Sequence, residues 1–163
     1  MRQKENILIN GCSRGLGYDF YQYLKFKYNV YGLSSVKNNN KNIFYYNPLE
    51  NIELDNIVKK KIKKLRINHV IHCSGGGFKK HDKLLEIKSL VQLFNVNFYS
   101  VYEINKTLIT NKPKNRKLNI IMIGSIAALE NKASIGYSAA KSVLFNYNKN
   151  LSINFANEKV ISK

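Results

Sequence analysis

The sequence predicts an α/β fold, a doubly wound parallel sheet of about five strands with helices on both faces. Three observations carry this. Short apolar runs alternate with longer stretches of helical periodicity, the pattern of strands joined by crossover helices. The first run, Ile7-Leu8-Ile9, leads directly into the glycine-rich turn Gly11-Cys12-Ser13-Arg14-Gly15-Leu16-Gly17. The alternation continues along the 163 residues without an internal repeat, and 44% of them are hydrophobic, enough to build the core of one domain over residues 1–163.

Taken in order, the first strand is expected from about Asn6 to Asn10 and its helix from Gly15 to Tyr28. A second strand, Val30 to Ser34, runs into the polar tract Lys37-Asn38-Asn39-Asn40-Lys41-Asn42. That tract is shorter than the ~10 residues a crossover helix with its loops requires, so a mobile, exposed loop is expected there. A third strand follows at Ile43 to Tyr46. Leu54, Ile57, Val58, Ile62 and Leu65 share one face at helical spacing, with Lys59, Lys60, Lys61, Lys63 and Lys64 opposite, so an amphipathic helix is expected here. The fourth strand is His69 to Cys73, ending in Ser74-Gly75-Gly76-Gly77. A long helix covers Ile87 to Thr110, a fifth strand Asn119 to Ile123, and a last helix Tyr137 to Asn157. Lys159-Val160-Ile161 is enough to begin a further strand but not another βα unit.

Composition excludes several classes of function. The apolar runs fall well short of the ~20 residues of a membrane span. Met1-Arg2-Gln3-Lys4-Glu5 enters a strand without the apolar region of a secretory signal. Cys12 and Cys73 are too few for a disulfide framework, which fits a reduced, cytoplasmic protein. The formal net charge of +17 raises nucleic acid as a partner, but the bases are nearly all scattered lysines. Only Arg2, Arg14, Arg66 and Arg116 are arginine. The charge reads as composition drift over a solvated surface, and nucleic-acid binding is not the favoured reading.

The chemistry lies in two places. A glycine turn between a strand and a helix presents unpaired N–H groups and the positive end of the helix dipole to a phosphate. Gly11, Ser13, Arg14, Gly15, Leu16 and Gly17 are therefore expected to hold a dinucleotide. The second strand ends without the carboxylate that favours a free ribose hydroxyl, whereas Arg14, Ser34 and Ser35 can hold a 2′-phosphate. NADP(H) is therefore expected over NAD(H). The second place is Ser125, Tyr137 and Lys141. On a helix, Tyr137 and Lys141 lie one turn apart on the same face. A tyrosine of ordinary pKa near ~10 is a poor base at neutral pH, and a nearby ammonium favours its phenolate. Ser125, at the carboxyl edge of the sheet, can hydrogen-bond a substrate oxygen as charge develops.

On these residues the chain resembles the short-chain dehydrogenases/reductases from Ile7 to about Ala156. The turn matches their T-G-x-x-x-G-x-G with Asn10 for Thr, and Ser125, Tyr137 and Lys141 fall on their Ser and Y-x-x-x-K positions. The resemblance implies a Rossmann-like sheet. It implies a catalytic Ser125, Tyr137, Lys141 and Asn97, the last holding a water in a proton relay past Lys141. It also implies that Asn47 lies near the adenine, that Ser74, Gly75, Tyr137 and Lys141 line the cofactor, and that a homo-oligomer forms through the two long helices. His72-Cys73-Ser74-Gly75 departs from the family's N-N-A-G, losing both asparagines. A helix beside the adenine is expected to be deleted between the second and third strands. The family's sixth and seventh strands, P-G loop and substrate-covering segment are expected to be missing, which would leave the fifth strand an unpaired edge.

Three functions follow. The first is an NADP(H)-dependent oxidoreductase acting on a small carbonyl or alcohol. The second is a truncated, catalytically impaired cofactor-binding remnant, and the third a basic nucleic-acid binder. No metal is expected: His69 and His72 point to opposite faces of a strand, and Cys73 completes no set of four ligands. Cys73 reads as a buried structural thiol and His81 with Asp82 as a solvated loop pair. Tyr18, Tyr21 and Tyr23 read as packing or snorkelling side chains.

Overall fold

A computed structural model of the chain describes residues 4–77, 84–130 and 133–163. Six parallel strands form one sheet: β1 (Asn6–Asn10), β2 (Asn29–Ser34), β3 (Ile43–Tyr45), β4 (His69–His72), β5 (Leu118–Met122) and β6 (Val160–Ser162). Their order is β3-β2-β1-β4-β5-β6. The chain thus winds outward from β1 in one direction and from β4 in the other. The reversal lies between β1 and β4, and a crevice opens outside their carboxyl ends, where sheets of this kind receive ligands.

The central strands are continuous apolar runs because both of their faces are covered. Ile7, Leu8 and Ile9 are all buried, and strand alternation sends them to opposite sides. Leu8 joins Val70, Ile120, Ile62, Ile104, Leu108 and Leu151 in the larger core, beneath helices α2 (Asn56–Lys64), α4 (Ser100–Thr110) and α5 (Ile135–Asn154). Ile7 and Ile9 join Val30, Ile71, Cys12 and Tyr21 on the other side, beneath α1 (Gly15–Leu24). Helix α2 begins where the Asp55 carboxylate accepts the Ile57 N–H at 2.7 Å, a side-chain cap.

The structure corrects several expectations. Strand β5 is not an unpaired edge, since β6 lies beside it with Leu118, Asn119 and Ile120 in register with Val160, Ile161 and Ser162. A left-handed Lys159 (φ 60°) turns the chain back toward the sheet after α5. Three residues then suffice for pairing, extended by bonds from Met122 N to Lys163 O and from Lys163 N to Ile120 O. Ile57 is 64% exposed, because the line Leu54, Val58, Ile62 and Leu65 meets the core and Ile57 flanks it. Helix α1 stops at Leu24 rather than Tyr28, where a turn accepts both Lys27 and Tyr28 N–H groups on the Leu24 carbonyl.

The Asn-rich tract is the exposed, irregular loop expected, tied by its own amides. Asn38 Oδ1 accepts the Asn40 N–H and Asn40 Oδ1 accepts the Asn42 N–H, each at 2.9 Å. The helix expected from Ile87 to Thr110 spans those residues as α3 (Ile87–Phe94), a π-helical segment (Asn95–Tyr99) and α4. Wide turns of this kind are rare and often mark functional positions. No helix among the described residues is long and apolar enough to cross a membrane.

Candidate active site

The crevice outside β1 and β4 is a cavity of about 260 Å³ lined in part by Gly11, Ser13, Arg14, Ser35, Asn47 and Ser74. Gly75, Gly76 and Gly77 form its next wall. The glycine turn supplies one side for a steric reason. A Cβ on Gly17 would stand 2.2 Å from the Gly11 carbonyl oxygen, so helix α1 can begin this close to the end of β1 only without a side chain there. No side chain caps the N-terminus of α1 and its first turn carries no acidic residue. Its leading N–H groups are therefore left for an anion.

Of the residues expected at a cofactor, Gly11, Ser13, Arg14, Ser35, Asn47, Ser74 and Gly75 line this cavity. Gly15 and Leu16 are exposed outside it, and Gly17 is buried beneath the turn. Ser34 is not at the cavity: it is buried, and its hydroxyl donates to the Val36 carbonyl (2.7 Å) while accepting the Val36 N–H (3.0 Å). Asn47 keeps its amide in its own turn, donating to Glu50 and accepting from the Leu49 N–H. Asn10, Leu33, Tyr46, Leu49, Cys73 and Val96 also line the cavity, and none was expected at a cofactor. Asn10, Leu33, Tyr46 and Cys73 lie at or next to the carboxyl ends of β1, β2, β3 and β4, whereas nothing in the sequence marks Leu49 or Val96.

The second group converges on the loop after β4. Asn97, in the π-helical segment and fully buried, holds both main-chain polar groups of Gly76: Oδ1 accepts the Gly76 N–H and Nδ2 donates to the Gly76 carbonyl, each at 3.1 Å. Nδ2 also donates to the Leu93 carbonyl at 2.9 Å. Gly75 sits between two polar groups, for a Cβ there would lie 2.8 Å from Asn97 Oδ1 and 3.0 Å from Lys141 Nζ, at a φ of +147°. Lys141 is 4% exposed, and Nζ donates to the Ile123 carbonyl at 3.1 Å. Burial lowers its pKa, and among the described residues no carboxylate pairs with it.

Tyr137, half-buried in the first turn of α5, has its ring centre 5.8 Å from Lys141 Nζ. Gly77 abuts the same ring. Ser125 follows β5, and its Oγ accepts the Ala127 N–H at 3.2 Å, which leaves the hydroxyl proton available. Ser125 and Lys141 together line a second cavity of about 310 Å³ whose other walls include Leu129, Leu144 and Phe145. The structure thus gathers Asn97, Lys141 and Tyr137 around Gly75–Gly77, with Ser125 beside Lys141.

The other side chains singled out in the sequence stay structural. His69 bonds to Asn119 and pairs with Glu5 at 3.2 Å, and no cluster that could hold a metal occurs among the described residues. Burial pushes the thiols of Cys12 and Cys73 up to about 11, although Cys73, expected to be buried, is only partly so because it lies at the cavity wall. Tyr21 packs in the core with its hydroxyl on Asn40, whereas Tyr18 and Tyr23 are exposed. His81 and Asp82 lie outside the described residues.

Comparison with known proteins agrees with this geometry. The profile of the family described as short chain dehydrogenase matches residues 49–162. A 3-oxoacyl-[acyl-carrier-protein] reductase of Buchnera aphidicola is 30% identical over 96% of this chain and 70% of its own length. The fold superposes on ElxO with NADP bound (TM-score 0.80, 22% identity, 97% of this chain and 71% of that one). It also superposes on 4-hydroxyisoleucine dehydrogenase complexed with NADH (TM-score 0.79, 19% identity, 96% and 71%). The chain belongs to the short-chain dehydrogenase family, NAD(P)-dependent oxidoreductases that act on alcohol and carbonyl groups.

His72, 1% exposed behind the cavity, has its pKa lowered to about 4 by burial. The unfolded chain therefore binds a proton near pH ~6.5 that the folded chain refuses until about 4. Stability is predicted to be complete above the unfolded value and to fall as pH drops through this window, with a limiting slope of ~1.4 kcal/mol per unit from this group. Urea denaturation of the parent and His72→Asn between these pH values checks it; the variant should show the shallower dependence.

Proposed function

We propose that this chain is an NADP(H)-dependent oxidoreductase that reduces a carbonyl, or oxidises the corresponding alcohol, at Ser125, Tyr137, Lys141 and Asn97. The observation that carries this reading is the meeting of Asn97, Lys141 and Tyr137 around Gly75–Gly77, a loop that is also a wall of the cavity beneath the glycine turn. The uncapped start of α1 and the Gly17–Gly11 contact fit a pyrophosphate, with Ser13 and the turn amides as donors. Arg14 and Ser35, both exposed on the cavity rim, fit a ribose 2′-phosphate, while Asn47 fits the adenine side.

When bound, the nicotinamide supplies or accepts the hydride. The chain's own residues manage the oxygen and its proton. Ser125 Oγ, already accepting a backbone N–H, donates its proton to the substrate oxygen and fixes its position. Tyr137 gives its phenolic proton to that oxygen as the carbonyl becomes an alcohol, and takes it back in the reverse direction. The Lys141 ammonium supports the charge left on the phenolic oxygen and holds the ribose. Its burial and its bond to the Ile123 carbonyl keep it in place. Asn97 fixes the loop against which both side chains sit.

The 30% identity to a 3-oxoacyl-[acyl-carrier-protein] reductase makes a 3-oxoacyl thioester the first carbonyl to test. The apolar walls of the second cavity, beside Ser125, suit an acyl chain. Followed by NADPH absorbance, Tyr137→Phe is predicted to lose turnover by at least ~100-fold, the scale of general-acid catalysis, with NADPH affinity within about threefold of the parent. Equal activity in mutant and parent removes Tyr137 from this role. NADPH binding with no turnover across a carbonyl panel favours the impaired-remnant reading. In the same titration the parent should bind NADPH more tightly than NADH, and Arg14→Glu should reverse that order.

We also propose a homo-oligomer through the outer faces of the two long helices. Val91, Tyr99 and Tyr102 on one, with Val143 and Ile153 on the other, are large apolar side chains left exposed. Sedimentation equilibrium should give at least a dimer; a monomer at tens of micromolar protein contradicts it.

A further inference from the structure

Behind the wall of the cofactor cavity runs a chain of side-chain hydrogen bonds that crosses four elements. Asn10, at the end of β1, donates from Nδ2 to Ser74 Oγ at 2.6 Å and faces His72 Nδ1 at 3.4 Å. On the other side of the ring, His72 Nε2 lies 2.9 Å from Asn105 Oδ1 on α4. Asn105 Nδ2 then reaches the Tyr147 hydroxyl on α5 at 3.4 Å. Asn10, His72 and Asn105 are each no more than 3% exposed. Asn10 and Ser74 line the cavity, whereas His72 and Asn105 do not.

The amide partners leave the imidazole one form. An amide oxygen only accepts, so Nε2 must carry the proton that meets Asn105 Oδ1. An amide nitrogen only donates, so Nδ1 must be the lone pair that meets Asn10 Nδ2. A neutral ring with its proton on Nε2 satisfies both neighbours. A charged ring would set two donors against each other at Asn10. The same logic continues to the cavity: with Asn10 Nδ2 turned to Ser74, the serine oxygen is already an acceptor, and its own proton is left to donate.

We propose that His72 is a positioning residue for the cofactor cavity, a neutral imidazole anchored on Asn105 that orients the Asn10 amide so that Ser74 presents its hydroxyl proton to a ligand oxygen. The phosphate and ribose oxygens of a nicotinamide dinucleotide are acceptors of that kind. The inference rests on the dinucleotide reading given above and adds to it a residue that touches neither cofactor nor substrate.

Three variants at one position separate positioning from plain structural support. His72→Leu fills the space but removes both ring nitrogens. His72→Asn places an amide oxygen near the Nδ1 position and restores an acceptor for Asn10, at the expense of the Asn105 contact. His72→Gln reaches toward Asn105 instead. With NADPH as probe and fluorescence as readout, His72→Leu should weaken binding about tenfold, the scale of one unsatisfied buried polar group. His72→Gln should resemble it, while His72→Asn should stay within about threefold of the parent although its unfolding midpoint falls. Asn10→Leu should also weaken binding, and adding His72→Leu to it should cost nothing further.

Parent-like affinity in folded His72→Leu, equal losses in Leu and Asn variants, or additive losses with Asn10→Leu would each overturn the proposal. Should His72→Leu not fold, ¹⁵N–¹H correlation of the ring nitrogens in the parent decides: protonated Nε2 with bare Nδ1 at pH 7 is expected, and the opposite tautomer or an imidazolium refutes it. A parent chain that binds neither NADPH nor NADH refutes the dinucleotide reading itself, and the ring-nitrogen spectrum then shows whether the hydrogen-bond chain survives without it.

Discussion

The grip of Asn97 on Gly76 is the contact on which the arrangement of this molecule depends. Two hydrogen bonds of 3.1 Å, to the N–H and to the carbonyl of one residue, join a helix on one face of the sheet to the loop leaving its central strand. Asn97 is fully buried whereas Gly76 is exposed, so removing the side chain would hand the Gly76 N–H and carbonyl to water and release the loop from the helix. The π-helical turn at Asn95–Tyr99 sets this side chain against the loop while the helix goes on to Thr110. From Gly76 the constraint spreads both ways along the chain. Gly75 lies against Lys141, Gly77 against the ring of Tyr137, and all three glycines form a wall of the cavity under the first helix. One clamp thus ties the cavity under the first helix to the side chains of Lys141 and Tyr137.

The sheet supplies the frame for that clamp. Winding reverses between β1 and β4, so the loops after these strands face each other and no crossover covers the gap. Gly17 brings α1 down onto Gly11, and the resulting turn meets the glycine loop across the crevice. On the far side of β4, β5 delivers Ser125 and the Ile123 carbonyl that holds Lys141. The polar chain from Ser74 to Tyr147 ties the ends of β1 and β4 to α4 and α5, the helices that carry the rest of the site.

Most of this fold is legible in the sequence because the central strands are buried on both faces and so read as plain apolar runs. The glycine turn and the Tyr137–Lys141 spacing are legible for a similar reason, since each is a local geometric requirement. What stays hidden depends on contacts between distant segments. Lys159-Val160-Ile161 reads as the start of a strand, but its pairing with β5 depends on a left-handed lysine, a conformation that no residue preference announces. A π-helical turn has the same composition as the helix around it. Ser34 and Ser35 look equivalent as phosphate ligands, yet strand alternation buries the first and leaves only the second at the cavity. Asn10 and His72 become partners only once β1 and β4 are in register, with Asn10 opposite His72.

Gly75 stands where the cavity under the first helix meets Lys141 and Asn97, with no room for a Cβ between those two side chains. NADPH titration of parent and Gly75→Ala, with unfolding followed by circular dichroism to confirm that the variant is folded, tests this most directly. Saturable binding to the parent and at least about a tenfold loss in the variant are expected, since the φ of +147° and two displaced polar groups must both be accommodated. A folded Gly75→Ala protein that binds NADPH as tightly as the parent would contradict it.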